Sequence, residues 1–271
     1  AAVLGSPDKV RYVPLSAPQR FTALQSGEVD ILSRNTTVTL SRDTALGLSL
    51  TAVMFYDGQG FMVPAKSGIK SAKQLKNATV CTQTGTTTEK NLSDFSRAHK
   101  LNIKPVVFEK LDGANAAYFS GRCQAYTTDA SGLASIRSRE AKNPKDHVIL
   151  PELISKEPLG PMVRKGDDEW LSVVRWTVYG LIEAEELGLR SDNLQQMLAE
   201  SSDPAVMRLL GKGEDLGKAL GLDKEWLLRA LTAVGHYGEI FERHVGEKTP
   251  VGLKRGANAL WTQGGLMYAL P

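Results

Sequence analysis

At 271 residues the chain has room for a sizeable core and for two lobes. Its 33 basic and 30 acidic residues leave a formal net charge of +3, and no basic run is interleaved with aromatics, so nucleic acid is not an expected partner. No apolar stretch is long enough to span a bilayer, so membrane insertion is not expected either.

Residues 9–13 alternate like a strand, and residues 17–25 carry helical spacing that stops at Ser26-Gly27, a C-terminal signal. Residues 29–33 read as a second strand. Thr39-Leu40-Ser41-Arg42-Asp43 reads as a polar turn, and residues 51–63 are apolar and β-prone with an interruption at Asp57-Gly58. This β-α-β progression marks an α/β layer.

The texture changes at Pro64-Ala65-Lys66-Ser67-Gly68, and a second progression begins. It has a short helix at 71–75, strands at 79–83, 105–109, 123–127 and 147–150, and helices at 89–99, 112–120 and 131–140. Beyond Pro161 the spacing is mainly helical, over 168–187, 191–198, 204–210 and 224–243, and the Gly-rich tail 252–271 carries Trp261 and Tyr268. Boundaries are therefore expected near 61–64 and 150–161. They divide the chain into a first lobe (1–62), a second lobe (63–153), and a return to the first lobe with a helical extension (154–271). Two extended crossovers would form a hinge below a cleft.

The stretch Val80-Cys81-Thr82-Gln83-Thr84-Gly85-Thr86-Thr87-Thr88-Glu89 reads as a strand, a tight turn and a helix start, whose free N–H groups suit an anion. No Walker-type lysine follows the glycine, so a nucleotide phosphate is a poor fit. The four histidines lack metal-ligand spacing, even His236 and His244 eight residues apart, and no Gly-x-Ser-x-Gly elbow is present, so no metal, cofactor or nucleophilic catalysis is implied. Arg42, after a strand and a polar run, either grips a carboxylate or is an exposed turn residue. Asp129, at another strand end, either holds an ammonium or caps the helix that follows. Arg20 lies early in a helix, against the dipole, and either has a ligand or is simply solvated. Cys81 and Cys123 sit at or beside strand starts, as a disulfide if those strands are neighbours or otherwise as two buried thiols.

Together these groups complement a zwitterion, and at this point the chain resembles the periplasmic solute-binding proteins of polar amino-acid ABC transporters, most closely the general L-amino-acid-binding branch. The likeness rests on Gln19-Arg20-Phe21-Thr22-Ala23-Leu24-Gln25-Ser26-Gly27-Glu28-Val29-Asp30, Ser33-Arg34-Asn35-Thr36-Thr37 with Arg42, and the turn after Cys81. It also rests on Gly121-Arg122-Cys123-Gln124-Ala125-Tyr126-Thr127-Thr128-Asp129 and on the tail from Gly252 to Trp261.

The resemblance implies a type II fold of two α/β/α lobes that close on an L-amino acid delivered to a permease. It implies that Arg42 clamps the α-carboxylate with Thr86 and Thr87 at the helix start, and that Asp129, the Asn35 carbonyl and the Thr37 hydroxyl take the α-ammonium. Arg20 would meet an acidic side chain, and Cys81 and Cys123 would be bridged in the periplasm. Relatives begin with a further strand and helix, so an incomplete first lobe is expected, with an edge that a second copy or swapped segment would cover. Two rival readings stand beside this one: a truncated or oligomeric remnant that binds weakly or not at all, and a cyclohexadienyl-dehydratase-like enzyme, for which no positioned general acid is evident.

Overall fold

Strict alternation along the central strands decides the main layer. The computed structural model describes residues 1–271. Its strands are β1 (Leu48–Leu50), β2 (Phe55–Asp57), β3 (Gln59–Pro64), β4 (Thr79–Gln83), β5 (Lys104–Phe108), β6 (Ala125–Asp129), β7 (His147–Ile149), β8 (Glu157–Leu159) and β9 (Met162–Arg164). Five of them form one sheet in the order β5-β4-β6-β3-β7, with β4 parallel to β5 and β6, and β3 antiparallel to β6 and β7.

Neighbouring residues along these strands point to opposite faces. Phe61, Val80 and Ala125 enter one core with Leu92 and Leu101, whereas Met62, Cys81 and Tyr126 enter the other with Ala114, Tyr118 and Leu133. Of the helices α1 (Gln19–Ser26), α2 (Leu40–Ala45), α3 (Thr87–Ala98), α4 (Leu111–Phe119) and α5 (Ala130–Glu140), α3 covers the first face and α4 with α5 the second. The result is a three-layer α/β/α lobe. Cys81, in the middle of β4, and Cys123, two residues before the neighbouring strand β6, are bridged with Cα atoms 5.6 Å apart.

The other lobe has no single sheet but two separate two-stranded ones. β1 pairs with β9, and Leu32 bridges Met162 on the far side of β9, over a small core of Leu24, Leu32, Leu48 and Met162. β2 pairs with β8, and Thr37 bridges Leu159. Gly58 sits between β2 and β3 where the two crossovers touch: a Cβ there would lie 2.8 Å from the Ser155 carbonyl and from Leu153 Cδ1. Only glycine leaves room for that approach.

The helical extension comprises α6 (Asp168–Glu186), α7 (Leu194–Glu200), α8 (Pro204–Leu209), α9 (Trp226–Val234) and α10 (Tyr237–His244). No helix is long and apolar enough to cross a membrane.

Four expectations need correction. Residues 9–13 form no strand: a 3-10 turn at Pro7–Lys9 leads through an extended Val10 into a segment without a ladder partner, and Tyr12 is 87% exposed. Residues 29–33 make only the bridge at Leu32. The supposed polar turn at 39–43 is the helix α2, because the Thr39 hydroxyl accepts the Arg42 N–H as an N-cap. Residues 224–243 are two helices, broken at Gly235 (φ 76°), after which His236 caps α10 through Nδ1.

Candidate ligand-binding site

The helix start after Cys81 is built by local capping. The Thr86 hydroxyl accepts the Glu89 N–H and donates to the Gln83 carbonyl, while Glu89 Oε2 reaches back to the Gly85 N–H at 3.1 Å. Thr86 therefore spends its side chain on the turn. Buried Gln59, on β3, donates to the Thr88 carbonyl and to Thr127 Oγ1, which fixes the first turn of α3 against the sheet. Across the cleft, Gly85 packs on Pro18 at the start of α1, close enough that a Cβ would lie 3.3 Å from Pro18 Cα.

The α2 helix carries Arg42 inward. Its guanidinium stacks over Phe21 with Cζ 4.8 Å from the ring centroid, and Nη1 donates to the Thr37 carbonyl at 2.8 Å. That is the only protein hydrogen bond the guanidinium makes, so the rest of its planar fork is available for a carboxylate. Burial lowers its pKa while Glu157 and Asp129 oppose the shift, which places those two carboxylates near it.

Asp129 ends β6 and is 4% exposed. It makes no side-chain cap for α5. Asp57 does that work from the hinge, its Oδ2 accepting the Ser131 N–H and, at 2.5 Å, the Ser131 hydroxyl. Asp129 is thereby left facing the cleft, where Oδ2 accepts Asn35 Nδ2 at 2.7 Å. Burial pushes its pKa up to about 7, aided by the Asp57 and Glu157 charges and opposed by the Asn35 hydrogen bond and by Arg20.

Arg34 Nε donates to Asn35 Oδ1, which turns the Asn35 amide nitrogen toward Asp129. The Asn35 carbonyl accepts Arg20 Nη1 at 3.1 Å. Arg20 is 3% exposed, its Nε has no partner, and burial followed by the charges of Arg42 and Arg34 brings its pKa down to about 9. It is therefore buried, not solvated.

Glu157 is the central group that sequence reasoning missed. It lies on β8, opposite Asp57 in register, and is 1% exposed. Its Oε2 accepts the hydroxyls of Thr37 and, at 2.9 Å, Thr87, and its Oε1 accepts Asn91 Nδ2 at 2.9 Å and Ser155 Oγ at 2.5 Å. The available signal was a lone carboxylate in the proline-rich return crossover Ser155-Lys156-Glu157-Pro158-Leu159-Gly160-Pro161. A separate open cavity of about 740 Å³ lies outside α1, but its charged groups are Glu28 and Glu109, the wrong sign for an anion.

A hinged, two-lobed fold whose cleft combines an open guanidinium fork with a buried carboxylate is that of a solute-binding protein. The chain belongs to the bacterial extracellular solute-binding proteins of family 3, which it matches over residues 1–192. It is 54% identical to the general L-amino acid-binding periplasmic protein AapJ of Rhizobium johnstonii over 273 residues, covering 100% of this chain and 80% of that protein. It is 55% identical to the glutamate/glutamine/aspartate/asparagine-binding protein BztA of Rhodobacter capsulatus, again covering 100% of this chain and 80% of the other. Among solved structures, an ABC transporter periplasmic binding protein from Brucella ovis with glutathione bound superimposes with a TM-score of 0.96 at 54% identity, covering 100% of this chain and 85% of that one.

Proposed function

We propose that this chain is a periplasmic receptor that captures L-amino acids for an ABC importer, with a preference for acidic or amide side chains. One observation carries the reading: Arg42 and Asp129 face a common cleft from opposite lobes, a guanidinium fork for an α-carboxylate and a buried carboxylate for an α-ammonium. The Thr87 N–H at the start of α3 adds to the carboxylate grip. Arg20 lies beside this pair with an unpartnered Nε, which suits an acidic side chain. By their names, the relative AapJ binds L-amino acids in general, and BztA binds glutamate, glutamine, aspartate and asparagine, the acidic and amide side chains of this reading. The γ-glutamyl end of glutathione, bound by the Brucella ovis relative, carries the same α-carboxylate and α-ammonium.

Calorimetry against a panel of L-amino acids and glutathione tests the reading. Saturable heat with glutamate, aspartate, glutamine or asparagine supports it, and no heat with any member of the panel from a folded sample overturns it.

A second reading has a specific support of its own. The segment after Val10, with Tyr12 exposed, has no ladder partner, so a second copy pairing through the first lobe is the alternative assembly. Light scattering separates the dimer from a monomeric receptor.

A further inference from the structure

The hydrogen bonds around Glu157 determine what the adjoining hydroxyls can offer a ligand. A carboxylate only accepts, whereas a threonine hydroxyl has one proton to donate and two lone pairs. Both Thr37 and Thr87 give that one proton to Glu157 Oε2. Their oxygens lie 3.4 Å apart, so neither has a proton left with which to bond the other. Two lone-pair faces thus meet in a buried place, an arrangement that an entering cation would relieve.

Glu157 is itself held from three sides. Asn91 comes from α3, Ser155 from the crossover, and Thr37 from the first lobe, so the carboxylate cannot turn away without losing several donors.

We propose that Glu157 is a positioning residue that sets hydrogen-bond polarity: by taking the hydroxyl protons of Thr37 and Thr87 it makes the subsite between them acceptor-only, and so selective for an ammonium. The Thr87 side chain is then unable to donate to a ligand carboxylate, which leaves that task to its backbone N–H and to Arg42. The assignment rests on the amino-acid receptor reading and adds to it the origin of discrimination between an amino acid and its 2-hydroxy analogue. A neutral hydroxyl in place of the ammonium has one proton for several waiting acceptors, whereas an ammonium has three.

The experiment measures, by calorimetry, the affinity of wild type, Glu157→Gln, Glu157→Asp and Thr37→Val for L-glutamate and L-glutamine and for the corresponding 2-hydroxy acids. Wild type is expected to favour the amino acid by about 100-fold or more. Glu157→Gln replaces one acceptor with a donor, which reverses at least one hydroxyl and should narrow that preference by about tenfold. Glu157→Asp keeps an acceptor-only group and should retain the preference even at lower affinity. Thr37→Val, which removes one of the two lone-pair faces, should narrow it as Glu157→Gln does and covers the case in which that variant does not fold. If both variants weaken the two ligand classes by the same factor, Glu157 is merely structural and the proposal is overturned. If wild type binds no amino acid, the receptor reading itself fails, and this assignment with it, a result visible in the wild-type titration alone.

Discussion

The side-chain amide of Asn35 donates to Asp129 Oδ2 over 2.7 Å and so joins the two lobes where the ligand ammonium is proposed to sit. A neutral amide in that position compensates the Asp129 charge only in part, and the carboxyl is left with a pKa of about 7, mainly through burial. A ligand ammonium must displace or supplement Asn35, and it binds the ionised form. Affinity for an L-amino acid should therefore be constant above pH 7 and fall as pH drops below it, approaching tenfold per unit. Titrations in buffers of different ionisation enthalpy at pH 6 should show close to one proton released on binding.

The same group makes an opposite prediction for the empty protein. Its folded pKa, about 7, lies above the value of roughly 3.9 of an exposed aspartate, so the folded chain binds the proton more tightly than the unfolded chain. Stability attributable to Asp129 is then fully present below about pH 4 and declines as pH rises through 7. Melting curves of ligand-free protein across this range should show that downward contribution in wild type and lack it in Asp129→Asn, which should also bind no amino acid.

Arg42 and Arg20 both lie 4.8 Å from the Phe21 ring, yet they should respond differently to removal. Arg42 has an open fork, so Arg42→Ala should cost about 100-fold or more in affinity for every amino acid, and Arg42→Lys, which lacks a planar fork, should recover little. Arg20→Ala should reduce affinity for glutamate and aspartate far more than for glutamine and asparagine. Calorimetry on the two variants checks both outcomes, and normal binding by Arg42→Ala would mean that the carboxylate grip lies elsewhere.

The central sheet was legible because its signals are local. Period-two alternation through Phe61-Met62, Val80-Cys81 and Ala125-Tyr126 is enough to assign strands and faces. The α2 helix was not, since it is six residues long and its apolar residues, Leu40 and Ala45, are both exposed, which leaves no amphipathic pattern to read. Nor was the state of the site. Asp129 faces the cleft because Asp57, far upstream, caps α5 in its place, and Glu157 acquires its role from Thr37, 120 residues away. Residue types and order can indicate that Arg42 and Asp129 bind ions, but only the fold decides which hydroxyls have protons to spare.

The Cys81–Cys123 bridge closes a loop with a sequence separation of 42 inside the second lobe, entirely on one side of the hinge. On the chain-entropy account it should stabilise that lobe by about 4 kcal/mol. Replacing both cysteines with alanine should lower the melting temperature by roughly 10 °C in scanning calorimetry. Adding reductant to wild type should have the same effect and none on the double variant.

The helical extension depends on Arg255. Its Nη1 and Nη2 donate to Glu185 Oε1 and Oε2 at 2.9 and 3.1 Å, its Nε and Nη2 also donate to the Asn258 carbonyl, and its Cζ lies 5.3 and 5.1 Å from the Tyr237 and Phe241 rings. This single side chain ties the tail to α6 and α10. The pair is largely buried, with side-chain exposures of 18% and 9%, so Arg255→Ala would leave Glu185 without its cation in a poorly solvated place. The expected loss is about 3–5 kcal/mol, and Arg255→Lys should recover only part of it because the bidentate fork is gone. Replacing both partners with apolar residues, Glu185→Leu with Arg255→Met, should be milder than Arg255→Ala alone, since it removes the stranded charge together with the bond. Denaturant unfolding of the three variants checks this order. Amino-acid affinity should be unchanged in each variant that folds, because Glu185 and Arg255 make no contact with Arg42, Asp129 or Glu157.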